Sequence, residues 1–133
     1  MSSAPREGER ERRRLPRARR ITRSREIRAL FARGKRSRTA HLDVFDSPSP
    51  ASHPRVGLVV ARHGHRVVQR NRLKRRLREA VRQDVVPRLL EAKLWLDVLV
   101  RARREAYGAP YRELRDELSA WVGRRCSRAS SSD

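Results

Sequence analysis

The sequence predicts a two-layer α+β domain in which helices cover one face of a small sheet. Helix-like and strand-like hydrophobic patterns alternate along the chain, in the order helix, strand, strand, helix, strand, helix. Each predicted helix has one apolar face, which a sheet would bury. The 133 residues suit one domain. We assign it to residues 21–123, between a disordered basic arm (1–20) and a flexible tail (124–133).

The chain is strongly basic, with a formal net charge of +20, and almost all of its basic residues are arginines. A guanidinium group donates paired hydrogen bonds to phosphate and stacks on bases, so this composition favours a nucleic-acid partner. The single cysteine, Cys126, can form no intramolecular disulfide, which is typical of a reducing compartment. The sequence has neither an apolar run of membrane-spanning length nor the apolar core of a signal peptide. We therefore expect a cytoplasmic protein that does not contact a membrane.

The first predicted helix covers Arg23–Arg33, with Ser24 as its N-cap and Gly34 as its end. Its narrow apolar stripe is expected to pack in the core: Ile27, Leu30 and Phe31. A strand follows at His41–Phe45, with one buried and one polar face. Phe45 lies on the polar face, where it could stack on an unpaired base or sit at the edge of the core, and the sequence leaves both interpretations open.

Residues 47–54 have the composition of a loop, and residues 55–62 have the nearly continuous apolar centre of a strand buried on both faces. The turn at 63–66 contains two histidines without cysteine or carboxylate partners, so we predict no metal site there. A later strand is predicted at Trp95–Arg103. The last helix begins after Pro110 and ends at Gly123. Its apolar stripe is Tyr111, Leu114, Leu118, Trp121 and Val122.

The helix predicted over Val67–Arg82 is the central element. One side has the i, i+4, i+7, i+8 spacing of a buried stripe: Leu73, Leu77, Ala80 and Val81. The other side is basic, with Lys74 at its edge, and includes Asn71, Arg75, Arg78 and Arg82. Like charges on adjacent turns cost helix stability, and a nucleic-acid backbone would offset that cost. The helix lacks a good N-cap residue near Arg66, and Pro87 should end or kink it, with a last turn toward Glu91.

The sequence contains no recognisable catalytic machinery. It has no Ser–His–Asp grouping in a familiar setting, no glycine-rich phosphate loop and no cluster of metal ligands. Asp43 and Asp46 lie three residues apart on a predicted strand, hence on opposite faces, which makes them poor joint ligands. A basic zipper-type DNA-binding helix is excluded because no heptad repeat follows the basic segment. The composition therefore indicates a binding protein and gives no sign of an enzyme active site.

The segment Arg70–Arg78 reads R-N-R-L-K-R-R-L-R and resembles the R-N-R-x-K-R-x-x-R signature of the bacterial ribonuclease P protein component. Three other segments are similar to that family in the same order. Arg55–Val60 resembles its R-V-G-x-x-V strand, Ile27–Gly34 its first helix, and Asp97–Arg103 its last strand. The similarity extends from about residue 20 to residue 123.

This resemblance implies a fold of the ribosomal protein S5 domain 2-like type, with the long basic helix in a crossover between parallel strands. It also implies a function: the protein subunit of ribonuclease P, which joins a catalytic RNA and helps to remove the 5′ leader of precursor tRNA. The RNA would perform the hydrolysis with magnesium ions, which it would mainly bind itself. We expect one protein per RNA.

The resemblance further implies two sets of site residues. Six residues of the signature would contact the catalytic RNA, and Arg66 and Arg82 extend that set along the helix: Arg66, Arg70, Asn71, Arg72, Lys74, Arg75, Arg78 and Arg82. The second set would form a cleft between the first helix and the sheet that holds the single-stranded leader: Ile27, Phe31, His41, Phe45 and Arg62. The alternative is a ribosomal or ribosome-assembly protein that binds RNA without any role in cleavage, since it would share the charge and the basic tails.

Overall fold

Four strands and four helices make up the fold of this computed structural model, which describes residues 15–61, 64 and 66–131, the last two as backbone only. The strands are β1 (Lys35–Arg38), β2 (Leu42–Pro48), β3 (Arg55–Val60) and β4 (Leu96–Ala102). The helices are α1 (Ser24–Arg33), α2 (Val67–Ala80), α3 (Val86–Glu91) and α4 (Tyr111–Ser131). A π-helical turn, Val81–Val85, joins α2 to α3, and short 3-10 turns lie at Arg17–Arg19 and Arg104–Gly108.

The strands form one sheet in the order β1-β2-β4-β3. β2 pairs antiparallel with both β1 and β4, whereas β3 and β4 are parallel. Parallel neighbours need a long crossover, and the path from α2 through α3 supplies it. The α+β fold with a basic helix in a crossover is therefore confirmed.

The main core lies between α2, α4 and one face of the sheet. The predicted stripe of α2 is fully enclosed, with Leu77, Ala80 and Val81 at 0% exposure and Leu73 at 3%. From α4, the predicted residues Leu114, Leu118, Trp121 and Val122 are buried as well. The i, i+3, i+4 spacing was sufficient to identify both stripes, because only one side of each helix can face the sheet.

Pro87 lies in the first turn of α3 and does not end the helical crossover. Proline lacks a backbone N–H and its ring collides with the carbonyl group four residues earlier. The π-helical turn at Val81–Val85 directly precedes it, and such wider turns are recognised sources of bends in helices. The helix then continues to Glu91, as the sequence indicated.

The opposite face of the sheet is also partly covered, which corrects the prediction that helices cover only one face. There α1 closes a second, smaller core formed by Ile21, Leu30, Phe45 and Leu99. The prediction that β2 has one exposed polar face was wrong, since Asp43 on that face is 2% exposed. Of the two interpretations left open for Phe45, the structure supports the position in the core, since only 6% of the residue is exposed. Gly34 permits this arrangement: an added Cβ would lie 2.5 Å from the carbonyl oxygen of Leu30 and 3.2 Å from the Cβ of Phe45.

Several predicted boundaries are corrected. Arg23, rather than Ser24, is the N-cap of α1, and no side chain caps it. β2 extends beyond the predicted residue 45 to Pro48, and β1 was not predicted at all. α4 does not end at Gly123 but continues to Ser131, so most of the predicted tail is helical.

The ordered domain also begins earlier than residue 21. Leu15 is buried in the main core at 2% exposure. Arg20 forms an isolated parallel β-bridge with Val56 of β3. The first fourteen residues of the predicted arm lie outside the described part of the chain.

Candidate nucleic-acid interface

The outward side of α2 carries a continuous set of cations, which we call the basic face: Arg72, Lys74, Arg75 and Arg78, with Asn71 between them. Asn71, Arg72 and Arg75 are exposed, and Lys74 and Arg78 are half-buried. None of the four cations forms an ion pair with another residue in the described ranges. Carboxylates elsewhere in the domain pair with arginines on other elements, so this face keeps its charge for an external anion.

Arg82 differs from the rest of the predicted RNA-binding set because it has an internal partner. Its Nε donates to Glu79 Oε2 at 3.1 Å, and a second guanidinium nitrogen contacts Glu79 Oε1. This hydrogen-bonded pair lowers the pKa of Glu79 and raises the pKa of Arg82. The charge of Arg82, in the π-helical turn, is thus compensated by Glu79 of α2, and the free part of the basic face ends at Arg78.

Arg70 lies on the inner side of the first turns of α2, apart from the basic face. It is half-buried, and its Nε is enclosed without a hydrogen-bond partner in the described structure. Its charge is near the phenol of Tyr107, where it opposes the increase in pKa that burial imposes on that group. Tyr107 itself donates a hydrogen bond to the carbonyl oxygen of Ala61 at 2.6 Å.

The start of α2 is stabilised in a way that the sequence did not reveal. The backbone N–H of Arg66 donates to Gln69 Oε1 at 2.9 Å, which is one half of a capping box. The side chain of Arg66 is exposed at the same end of the helix. The structure also places Arg76, which was not predicted as a site residue, with Arg72 in a cavity of about 420 Å³ beside Tyr107. Its only sequence signal was the i, i+4 spacing from Arg72.

A groove of about 690 Å³ lies between α1 and the face of the sheet opposite the main core, and we call it the aromatic groove. Phe31 and Phe45 form its apolar wall, with ring centroids 5.0 Å apart and ring planes at 78°. The Cζ atom of Arg101 lies 5.7 Å from the centroid of Phe31. Arg36 lines the groove as well, held by Asp43 at 3.4 Å. Aromatic rings beside guanidinium groups suit an unpaired nucleotide, which offers both a stacking base and a phosphate.

The predicted cleft residues fall into three groups. Phe31 and Phe45 meet in the aromatic groove. Ile27 lies to one side, in a cavity of about 440 Å³ that α1 shares with Lys74 and Arg78 of α2. Residues of α1 and β3 therefore line both this cavity and the aromatic groove. His41 is not brought to the groove, and Arg62 lies outside the described residues.

His41 instead joins β2 to α4. Its Nδ1 is 2.6 Å from Glu117 Oε2, and its backbone N–H donates to Glu117 Oε1 at 2.7 Å. The hydroxyl group of Thr39 donates to the same carboxylate at 2.5 Å. Burial alone would raise the pKa of Glu117, but these hydrogen bonds outweigh it, and the pKa lies below its ordinary value. The cluster therefore fixes the β1–β2 turn on α4.

Glu117→Gln is expected to make the unfolding free energy less dependent on pH in the acid range. A lowered folded-state pKa contributes stability above the unfolded-state value of 4.5, and this contribution disappears as pH falls through the folded-state pKa. The deficit of the variant should therefore be largest near neutrality and shrink between about pH 6 and about pH 3. Urea titrations across this range would measure it. Glu113→Gln, one turn earlier and largely exposed, is the control, and an equal pH response in both variants would contradict the assignment.

The described residues contain neither a cluster of metal ligands nor a helix that could span a membrane. In residues 15–61, 64 and 66–131 there is no group of three or more histidine, cysteine or carboxylate side chains suited to a metal ion. Over the same ranges, no helix combines the length and apolar character needed to cross a membrane.

Comparison with known sequences shows the family. A family profile described as Ribonuclease P matches residues 15–125. The ribonuclease P protein component of Mycobacterium sp. (strain KMS) is 37% identical over 123 residues, which cover 89% of this chain and 98% of the relative. That of Acidothermus cellulolyticus is 34% identical over 114 residues, covering 83% of this chain and 90% of the relative.

Solved structures show the same fold. The ribonuclease P protein of Thermotoga maritima aligns with a TM-score of 0.65 at 24% identity, over 79% of this chain and 96% of its own. That of Staphylococcus aureus aligns with a TM-score of 0.65 at 20% identity, over 78% of this chain and 92% of its own. With the profile match over most of its length and relatives more than 30% identical, the chain belongs to the ribonuclease P protein family.

Proposed function

We propose that this protein is the accessory subunit of a ribonuclease P, which binds the catalytic RNA through the basic face and the 5′ leader of precursor tRNA through the aromatic groove. The observation that carries this proposal is that one small domain has both surfaces, and that α1 and β3 border each of them. The basic face suits a duplex or folded RNA backbone, because its cations have no ion-pair partner among the described residues and are spaced along one helix. The aromatic groove suits single-stranded nucleotides, because it offers rings for stacking.

In this proposal the RNA subunit performs the hydrolysis, with magnesium ions that it mainly binds itself, and one protein joins one RNA. The protein contributes binding energy toward the leader and neutralises phosphate charge near the junction. Both effects would lower the magnesium concentration that the reaction needs, because arginine side chains replace part of the counterion atmosphere.

The experiment that tests the proposal is cleavage of precursor tRNA by the cognate catalytic RNA at low magnesium, with and without the protein. Stimulation by the protein, with no cleavage by protein alone, is the expected result. Tight binding to RNA in general without stimulation would instead favour the ribosomal alternative. A protein with Arg72, Arg75 and Arg78 replaced by glutamine serves as a matched control, because it should fold but not stimulate.

Phe31→Ala is expected to weaken binding of precursor tRNA to the holoenzyme by about tenfold and to leave mature tRNA binding unchanged, because base–aromatic stacking contributes about 1–3 kcal/mol per base. Phe31 is the better test of the groove than Phe45, which is almost fully buried and would leave a cavity in the second core. Equilibrium binding of both tRNAs at one salt concentration would measure the effect. A similar loss for both tRNAs would remove Phe31 from the leader site.

A further inference from the structure

A second basic groove lies at the opposite edge of the sheet from β3, between β1 and α4, and we call it the edge groove. Its volume is about 1110 Å³, larger than that of the aromatic groove. Arginines from three elements line it: Arg38 of β1, Arg88 of α3, and Arg124 and Arg128 of α4. Asp116 is the one carboxylate among its lining residues in the described structure, so the groove has a strong excess of positive charge.

The shape of the groove suits an extended chain of phosphates. Small residues of α4 line it together with the arginines, namely Ser119, Ala120 and Gly123. Among the described residues that line it there is no aromatic ring on which a base could stack. Guanidinium and hydroxyl groups are donors that recognise phosphate oxygens irrespective of base sequence.

One of the arginines is held in position by the helix that it crosses. Arg88 Nη1 donates to the carbonyl oxygen of Ser119 at 3.0 Å and lies 3.3 Å from its hydroxyl oxygen. An added Cβ at Gly123 would lie 3.2 Å from Arg88 Nη2. The glycine therefore leaves room for the guanidinium group to lie across α4. A positioned guanidinium loses less conformational entropy on binding phosphate than a free side chain.

β1 connects this groove to the aromatic groove. Successive residues of a strand point to opposite faces, so Arg36 lines the aromatic groove while its neighbour Ser37 lines the edge groove. Arg38, the last residue of β1, lines the edge groove as well. β1 is also the edge strand of the sheet, so a single strand of RNA that leaves the aromatic groove can pass over it without crossing another element. The two grooves form one path around the edge of the sheet.

We propose that the edge groove binds the phosphate backbone of the distal part of the precursor tRNA leader, beyond the nucleotides held in the aromatic groove. This inference rests on the proposed leader-binding function. It assigns the arginines of α3 and α4 to substrate rather than to the catalytic RNA, and it makes affinity depend on leader length.

The test compares two precursors on the assembled holoenzyme, one with a leader of a few nucleotides and one with a leader several times longer. Arg38→Gln combined with Arg124→Gln is expected to lower affinity for the long-leader precursor by about tenfold and to leave the short-leader precursor unchanged. Both residues are exposed, so the fold should be retained, and unfolding midpoints would verify this. The matched control is Arg112→Gln, an exposed arginine of the same helix that does not line the groove.

A second arm removes charge from the substrate. Replacing the distal phosphates of a long leader by uncharged methylphosphonates should weaken its binding to the unchanged protein as much as the double variant weakens binding of the normal leader. The double variant should bind this uncharged leader no more weakly than the unchanged protein does. Independent, additive losses would overturn the proposal, because they would show that the arginines and these phosphates do not meet.

Other outcomes separate this inference from the proposed function. An equal loss for short and long leaders, or a loss of affinity for the catalytic RNA without substrate, would overturn the assignment of the edge groove to the leader. If Phe31→Ala weakens the short-leader precursor while the arginine variant affects neither precursor, only the edge groove fails. If Phe31→Ala affects neither precursor, the proposed leader function fails.

Discussion

Replacing Arg72, Arg75 and Arg78 together with glutamine is expected to lower affinity for the catalytic RNA by about a hundredfold to a thousandfold. A hydrogen bond to a charged group contributes roughly 1.5 kcal/mol or more, which is about tenfold in affinity for each contact. The three arginines are unpaired in the described structure and lie off the buried stripe of α2. The helix should therefore remain folded, and removal of like charges from adjacent turns should slightly stabilise it.

The salt dependence of binding gives an independent measure of the same contacts. Each phosphate contact that is lost should reduce the slope of log affinity against log salt by about 1, so the triple variant should lose a slope of about 3. Arg82→Gln is the matched control on the same helix, because Glu79 already compensates its charge, and its effect should be much smaller. A flat salt response of the unchanged protein, or an equal loss for Arg82→Gln, would contradict the basic face.

Sequence periodicity was sufficient wherever a single apolar face decides the structure. The stripes of α2 and α4 follow from spacing alone, because a helix can bury only the residues that share one side. The prediction that β3 is buried on both faces was wrong, since β3 is an edge strand and Leu58 and Val59 are only half-buried. β1 could not be found in this way. Its residues are K-R-S-R, and they become a strand only because β2 offers unpaired backbone groups beside them.

The ends of elements depended on tertiary contacts that a sequence does not display. Gly123 looked like the end of a helix, yet it lies inside α4, where Arg88 crosses the helix surface. The sequence left open whether Phe45 is exposed, because its neighbours on that face are polar, and the packing of α1 against it decides that it is buried. In both cases the deciding partner lies far away in the chain.

Only part of the candidate site was predicted, because contacts between distant segments of the chain decide the rest. Spacing identified the basic face of α2, but it could not show that Arg82 is paired with Glu79 or that Arg70 turns inward toward Tyr107. The resemblance brought Phe31 and Phe45 together correctly in space. It did not reveal that His41 is held by Glu117 on α4, nor that Arg101 lies against Phe31. The role of each of these residues in RNA binding stays a prediction.

Arg103→Met is expected to lower the free energy of unfolding by up to about 3–5 kcal/mol, since it removes the closer of the two arginines that pair with the buried carboxylate of Asp43. Arg103 Nη1 donates to Asp43 Oδ1 at 3.0 Å, and only 3% of the Asp43 side chain is exposed. The same guanidinium group donates to three carbonyl oxygens of the β1–β2 connection, those of Thr39, Ala40 and Leu42. Urea unfolding followed by circular dichroism would measure the loss.

Two further variants separate the buried charge from the loss of packing. Asp43→Asn in the Arg103→Met background should restore part of the stability, because no charge then remains buried, whereas a purely additive loss would show that the two side chains do not interact. Arg101→Met removes an exposed arginine two residues earlier and should cost less than about 1 kcal/mol. Because Arg103 holds the connection from which β1 extends, the variant should also loosen Arg36 and Arg38. We therefore expect leader affinity to decrease at temperatures where the domain is still folded, and unchanged leader affinity there would mean that β1 keeps its place without Arg103.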